Sequence, residues 1–358
     1  MSGLVAAAAV TVSLAAADGT GHPESAGRPG IAVAGETVSG IDAKLVKVKS
    51  SFDGSLQPCY FWAPDTQEPV PLIVGLHTWS CTWKNTANYK PALAYAREHG
   101  WAMVGPDFRG ANDHPEACGS DAAVQDIVDA VEYAKSKTKI DDRRIYIVGG
   151  SGGGHMTLLM AGRHPEIWAG CVAFCPISDL SRWHADSMLK HPGRSQRYAK
   201  MMESACGGLP SERPNEYSHR SPLSHLAAAK AAGVPVYIAT GIHDGWKGSV
   251  PVGHAIRAFN ALAEEKDRVS EDDIASIEND QKVPEGLAYR GTPDPFYTTK
   301  NRIHLRRTSG NVRFTLFEGG HNGNYPAGLD FLSRQKKGVP VDFTIPENGK
   351  GDSISLDK

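Results

Sequence analysis

The 358-residue chain is poor in several features that would point elsewhere. Its six cysteines form no CxxC pair and no zinc-type spacing. Its densest glycine stretch does not match G-x-G-x-x-G and carries no Walker lysine, so a nucleotide-phosphate cradle is not indicated. It has no surplus of positive charge: 38 Lys and Arg face 40 Asp and Glu, a formal net charge of -2. That gives no electrostatic reason to expect nucleic acid or an anionic membrane as a partner. Beyond the N-terminus no apolar run reaches membrane-spanning length.

The N-terminus itself lacks the basic residues that usually open a secretory signal. Leu4 to Leu14 is nonetheless apolar, and Ala15–Ala17 precedes Asp18 in the manner of an A-x-A cleavage site. Residues 1–17 are therefore expected to be signal-peptide-like and the protein secreted or periplasmic. Residues 18–40, rich in Gly, Ala and Pro, are expected to be a linker. Cys81, Cys118 and Cys206 lie in loop-like stretches, where an exported chain could bridge two of them. Cys171 and Cys175 lie on an apolar run and read as buried small hydrophobes. No signal for oligomeric state is present.

What the chain does have is 41% hydrophobic residues, enough for a large core. From Ala43 onward strands and helices alternate. "KLVKVKS" and "QPCYFWAP" read as an antiparallel pair. "VPLIVGLHTW", "WAMVGPDFRG", "RIYIVGG", "WAGCVAFCP", "VPVYIATG" and "VRFTLFEGG" read as buried strands. Helical patterns lie between most of them, with Val124, Ile127, Val128, Val131 and Ala134 on one helical face. Such alternation implies an α/β domain over 41–340, a mostly parallel sheet with helices on both faces. Residues 178–232 and 265–310 interrupt it and are expected to be insertions, the first cap-like. Residues 341–358 are expected to be a peripheral tail.

The most informative stretch is "RIYIVGGSGGGHMTLLMAG". Gly149-Gly150-Ser151-Gly152-Gly153 fits G-x-S-x-G between a strand and a helix, the context that motif requires. The serine sits on a sharp turn, and its neighbours must be small. A nucleophilic serine needs a histidine base and an orienting carboxylate. In this architecture they follow later strands in the order Ser, Asp/Glu, His. Asp244 follows "VPVYIATG" and His321 follows "VRFTLFEGG". Asp179 is the second choice of acid, His155 is expected inside the helix, and His243 flanks the site. Gly152 and the loop "GLHTWSCTWKN" would supply the oxyanion donors, with Trp79 first and Thr78 next. Trp83, Arg109, Trp183 and His184 are candidate substrate contacts.

The chain resembles the α/β-hydrolase superfamily and, within it, the catalytic domain of prolyl-oligopeptidase-like proteins. "LHTWS", "GGSGGGH", "GIHDGWKGSVPVGHA" and "EGGHNG" carry the resemblance, in the family's order, across residues 45–335. It implies Ser151 as nucleophile, Asp244 as acid, His321 as base, and Gly152 and the Trp79 region as oxyanion donors. Two departures stand out. Thr78 replaces the family's usual glycine after the loop histidine. About forty residues precede the first strand, where the family's peptidases generally carry a β-propeller. The expected activity is therefore that of stand-alone carboxylesterases, including those that remove acyl or feruloyl groups from polysaccharides, acting on a small-molecule or carbohydrate ester. A serine exopeptidase or amidase is the alternative, and no metal or organic cofactor is required. A non-catalytic relative would show degraded triad positions, and all three are filled.

Overall fold

The computed structural model describes residues 36–37, 41–349 and 354–356. The signal-like segment 1–17 lies outside the described residues, as does 18–40 apart from residues 36–37. One ten-stranded sheet organises the rest, in the order β1-β2-β3-β5-β4-β6-β7-β8-β10-β9. At one edge lie β1 (Glu36–Thr37), β2 (Lys44–Lys49) and β3 (Leu56–Trp62), antiparallel to their neighbours. Six parallel strands follow: β5 (Ala102–Pro106), β4 (Val70–Leu76), β6 (Ile140–Gly150), β7 (Gly170–Phe174), β8 (Val236–Gly241) and β10 (Val312–Phe317). The α/β-hydrolase architecture expected from the sequence is the one observed.

Alternation along the strands divides the core between two faces, because successive side chains point opposite ways. Leu72, Val74 and Leu76 of β4 join one apolar cluster and Ile73 joins the other. The first face is covered by α2 (Asp121–Lys137), α3 (Gly152–Arg163), α7 (Leu226–Ala231), α8 (Val252–Leu262) and α9 (Glu271–Asp280). The second is covered by α1 (Lys90–His99) and α10 (Tyr325–Ser333). Each fully buried Leu or Ile contributes about 2 kcal/mol. Ser120 starts α2 by accepting the Ala123 N–H, and left-handed Gly100 ends α1.

Three regions differ from expectation. Within 178–232, α4 (Leu180–Met188), α5 (Gln196–Cys206) and α6 (Pro214–His219) build a small core of their own around Trp183, Met202 and Tyr217. The segment's last helix, α7, is not a surface excursion: it packs on the main core. Residues 265–310 likewise end in β9 (Ile303–Ser309), the antiparallel edge strand beside β10. Its side chains are mostly half-buried and polar, as an edge strand permits. The end of the chain is not peripheral either. β12 (Ile354–Ser355) pairs with β11 (Asn322–Gly323), and Leu356 is buried against Gly150 and donates its N–H to the His321 carbonyl.

Candidate active site

The strand order reverses direction at β4 and β6, so the loops leaving their carboxyl ends diverge and open a crevice. Trp79 stands in the first loop and Ser151 in the second. Ser151 has φ 57° and ψ -119°, a conformation costly for any residue with a Cβ. It is held there by its N–H donating to the Phe174 carbonyl and by its carbonyl accepting from His155 N–H, 2.8 and 2.9 Å. A Cβ on Gly149 would lie 2.4 Å from the Gly153 carbonyl oxygen, so the turn closes only with glycine there.

Gly152 opens α3, and the N–H groups of a helix's first turn have no intrahelical acceptor. A Cβ on Gly152 would lie 2.4 Å from both the nitrogen and the Cα of Trp79. The two backbones are thus in contact, as a pair of oxyanion donors requires. Asn112 fixes the Trp79 peptide by donating its backbone N–H and Nδ2 to the Trp79 carbonyl, at 3.0 and 3.1 Å. The Thr78 hydroxyl donates to Cys81 Sγ at 3.1 Å.

Asp244 and His321 meet as the sequence suggested. His321 Nδ1 donates to Asp244 Oδ2 at 2.8 Å, and both side chains are buried. The other carboxylate oxygen accepts the N–H groups of Gly245 and Val250, at 2.9 and 3.1 Å. Burial alone would lower the His321 pKa, but the adjacent Asp244 charge outweighs it and holds the imidazolium well above the usual histidine value of 6.5. Nε2 of His321 is buried and has no hydrogen-bond partner among the described residues, so in this conformation it is not bonded to Ser151.

The alternatives resolve into structural roles. Asp179 caps α4 by accepting the Arg182 N–H. His155 lies inside α3 with Nε2 donating to the Arg220 carbonyl at 2.7 Å, its pKa pushed down to about 4 by burial. His243 does flank the acid. Its ring bonds Gln281 and Glu318, at 2.7 and 2.8 Å, and Glu318 also takes His304 Nε2 at 2.9 Å. This clamp ties the Asp244 loop to the segment leading to His321 and to β9.

The suggested substrate contacts also have partners within the fold. Arg109 is committed to Asp126, Asp53 and Ser50, at 2.6, 2.7 and 3.0 Å. Trp183 is fully buried, edge-on to Trp79, and donates its indole N–H to the Ser249 carbonyl at 2.9 Å. It therefore braces the cap against the Asp244 loop. His184 bonds Glu203 at 2.8 Å, joining α4 to α5. Trp83 is half-buried, packs edge-on to Tyr60 and donates its backbone N–H to Asp107. No disulfide forms: all six cysteines are free and buried.

Two site residues escaped sequence reasoning. A Cβ on Gly248 would lie 2.4 Å from His321 Cβ and 2.5 Å from Asp244 Oδ1, so this loop glycine lets the acid and base approach. Cys175, at the end of β7, is buried as expected but stands beside the Asp244–His321 pair. Its positive φ of 46° within "FCP" leaves no mark that a sequence pattern reports.

The sheet and the glycine-flanked serine turn define an α/β-hydrolase. The family model described as "Prolyl oligopeptidase family" matches residues 87–275, and the chain belongs to that family, one of serine hydrolases. It is 25% identical over 203 residues to acylamino-acid-releasing enzyme 1 of Oryza sativa subsp. japonica, covering 54% of this chain and 25% of that protein. It is 28% identical over 127 residues to feruloyl esterase B of Neurospora crassa, covering 33% of this chain and 44% of that one. The fold matches the solved acylaminoacyl peptidase of Pyrococcus horikoshii with a TM-score of 0.56 at 15% identity, over 85% of this chain and 43% of that chain. The chain thus spans well under two thirds of these relatives.

Proposed function

We propose that this protein is a serine hydrolase that cleaves carboxylic esters through an acyl-enzyme formed on Ser151. The observation that carries this reading is the contact between Gly152 and the Trp79 backbone beside a serine held in a strained turn. A helix-terminal serine without a catalytic task has no need of that conformation or of a second backbone pressed against it.

His321 Nε2 takes the proton of Ser151 Oγ as the oxygen attacks the ester carbonyl. Asp244 keeps Nδ1 protonated and stabilises the imidazolium. The Gly152 and Trp79 N–H groups receive the charge that develops on the carbonyl oxygen. His321 then protonates the departing alkoxide, and water repeats the sequence to release the acid. The likeness to a protein named feruloyl esterase B supports a feruloyl ester as the substrate.

A second reading, an exopeptidase or amidase, is favoured by the likeness to an acylamino-acid-releasing enzyme. It uses the same residues and asks more of His321, because an amine must be protonated to leave. One preparation assayed against p-nitrophenyl acetate, methyl ferulate and acylaminoacyl p-nitroanilides separates the two. The ester reading expects the first two to turn over fastest, and dominant anilide cleavage overturns it.

A further inference from the structure

Cys175 has no part in the chemistry above, yet its position is specific. Its Sγ, an Asp244 carboxylate oxygen and a His321 ring nitrogen all lie within 4.8 Å of one another, and all three residues are buried. No other group of three His, Cys, Asp or Glu ligand atoms this close occurs among the described residues. The thiol donates to the Asn322 carbonyl at 3.2 Å. Thr240 Oγ1 lies 3.4 Å from both Cys175 Sγ and Asp244 Oδ2, placing a hydroxyl between them. The backbone of Cys175 is left-handed, a conformation that non-glycine residues adopt only when the surroundings impose it. The ring nitrogen not bonded to Asp244, His321 Nε2, is buried and has no hydrogen-bond partner among the described residues.

We infer that Cys175, Asp244 and His321 form an inhibitory site for a thiophilic divalent cation such as Zn2+ or Cd2+. One sulfur, one imidazole and one carboxylate make a donor set suited to these ions, and hard cations such as Mg2+ and Ca2+ prefer oxygen alone. Coordination forms a sulfur–metal bond and releases the thiol proton to solvent. A thiolate and a carboxylate then balance the two positive charges, which satisfies the demand that buried charge be compensated. Small side-chain shifts bring the donors to bond lengths of about 2.3 Å for sulfur and about 2.0 Å for nitrogen and oxygen. The bound ion withdraws the imidazole lone pair and the carboxylate from Ser151. The inhibition, though not the binding, rests on the catalytic reading of these residues.

Binding is read without any substrate. Cadmium chloride titrated into chelator-treated protein is expected to raise the ultraviolet thiolate-to-cadmium charge-transfer band, saturating at one ion per chain, with Zn2+ displacing it. Cys206→Ser keeps the band and Cys175→Ala abolishes it. Cys175→Ser, which retains a hydroxyl for Asn322, serves if the alanine variant fails to fold, and binds cadmium at least about tenfold more weakly. Zn2+ slows fluorophosphonate labelling of Ser151 in the wild type, chelator restores it, and Cys175→Ala labels at one rate with or without Zn2+. A wild-type protein without the band, or a band that survives in folded Cys175→Ala, overturns the site. A normal band in a protein whose Ser151 never labels supports the metal site and overturns the hydrolase reading.

Discussion

Nδ1 of His321 lies 2.8 Å from Oδ2 of Asp244, although 77 residues separate them. The two residues leave the carboxyl ends of β10 and β8, which are adjacent and parallel. The pairing is a product of strand order, and it sets the protonation of the ring. With the charge of Asp244 at Nδ1, the folded protein favours imidazolium more than water does.

A pH dependence follows. The base acts when neutral, so kcat/KM for an ester should rise with pH through a midpoint above 6.5, measured in metal-free buffer. Asp244→Asn removes the strongest opponent of burial, so the midpoint should move down and the rate should fall. The stability contribution has the opposite course. A pKa raised on folding stabilises fully below the unfolded value and is lost as pH climbs through the folded one. Denaturant titrations across that window check it.

The elbow stores strain at the nucleophile. Ser151→Ala should abolish fluorophosphonate labelling and ester turnover while the protein remains folded. Ser151→Gly should be equally inactive but more stable than the alanine variant by about 1 kcal/mol, and so melt higher, because glycine alone tolerates this backbone. Thermal unfolding of the two side by side provides the comparison. Equal melting temperatures would show that the turn is not strained.

Gly152→Ala tests the oxyanion pair. The added methyl falls on the Trp79 nitrogen, against backbone that cannot rotate aside. The two donors must separate, and kcat should drop on the order of a hundredfold with a smaller change in KM. Steady-state kinetics on p-nitrophenyl acetate measures both.

Arg109 is assigned to structure, and Arg109→Ala should behave accordingly. The change leaves Asp126, whose side chain is 1% exposed, without its cation. Stability should fall by about 3 kcal/mol, read from urea unfolding. Below the transition kcat/KM should stay near wild type, whereas a substrate contact would raise KM in folded protein.

The serine turn was legible because its glycine–serine pattern is contiguous in sequence and sits between a strand and a helix. Gly149 is demanded by Gly153, four residues on, whereas Gly150, Gly152 and Gly153 are pressed by Leu356, Trp79 and His77 from distant segments. Asp244 and His321 were legible because parallel strands deliver their following loops to one edge, so position after an apolar run implied position in space. β9 was not legible. An edge strand with arginines at 306 and 307 lacks the buried run that marks its neighbours. Leu356 escaped for a related reason: apolar residues scattered through a polar tail say nothing about which surface each covers.

Local steric and periodic constraints, written in the order of the residues, determined the elbow, the alternating elements and the order of nucleophile, acid and base. Folding alone decided that Arg109, Trp183 and His184 would be braces and that Cys175 would stand beside His321. Those outcomes depend on which side chains from distant segments compete for the same space. That competition is settled by close packing in three dimensions, where partners are chosen by shape and charge and not by sequence spacing.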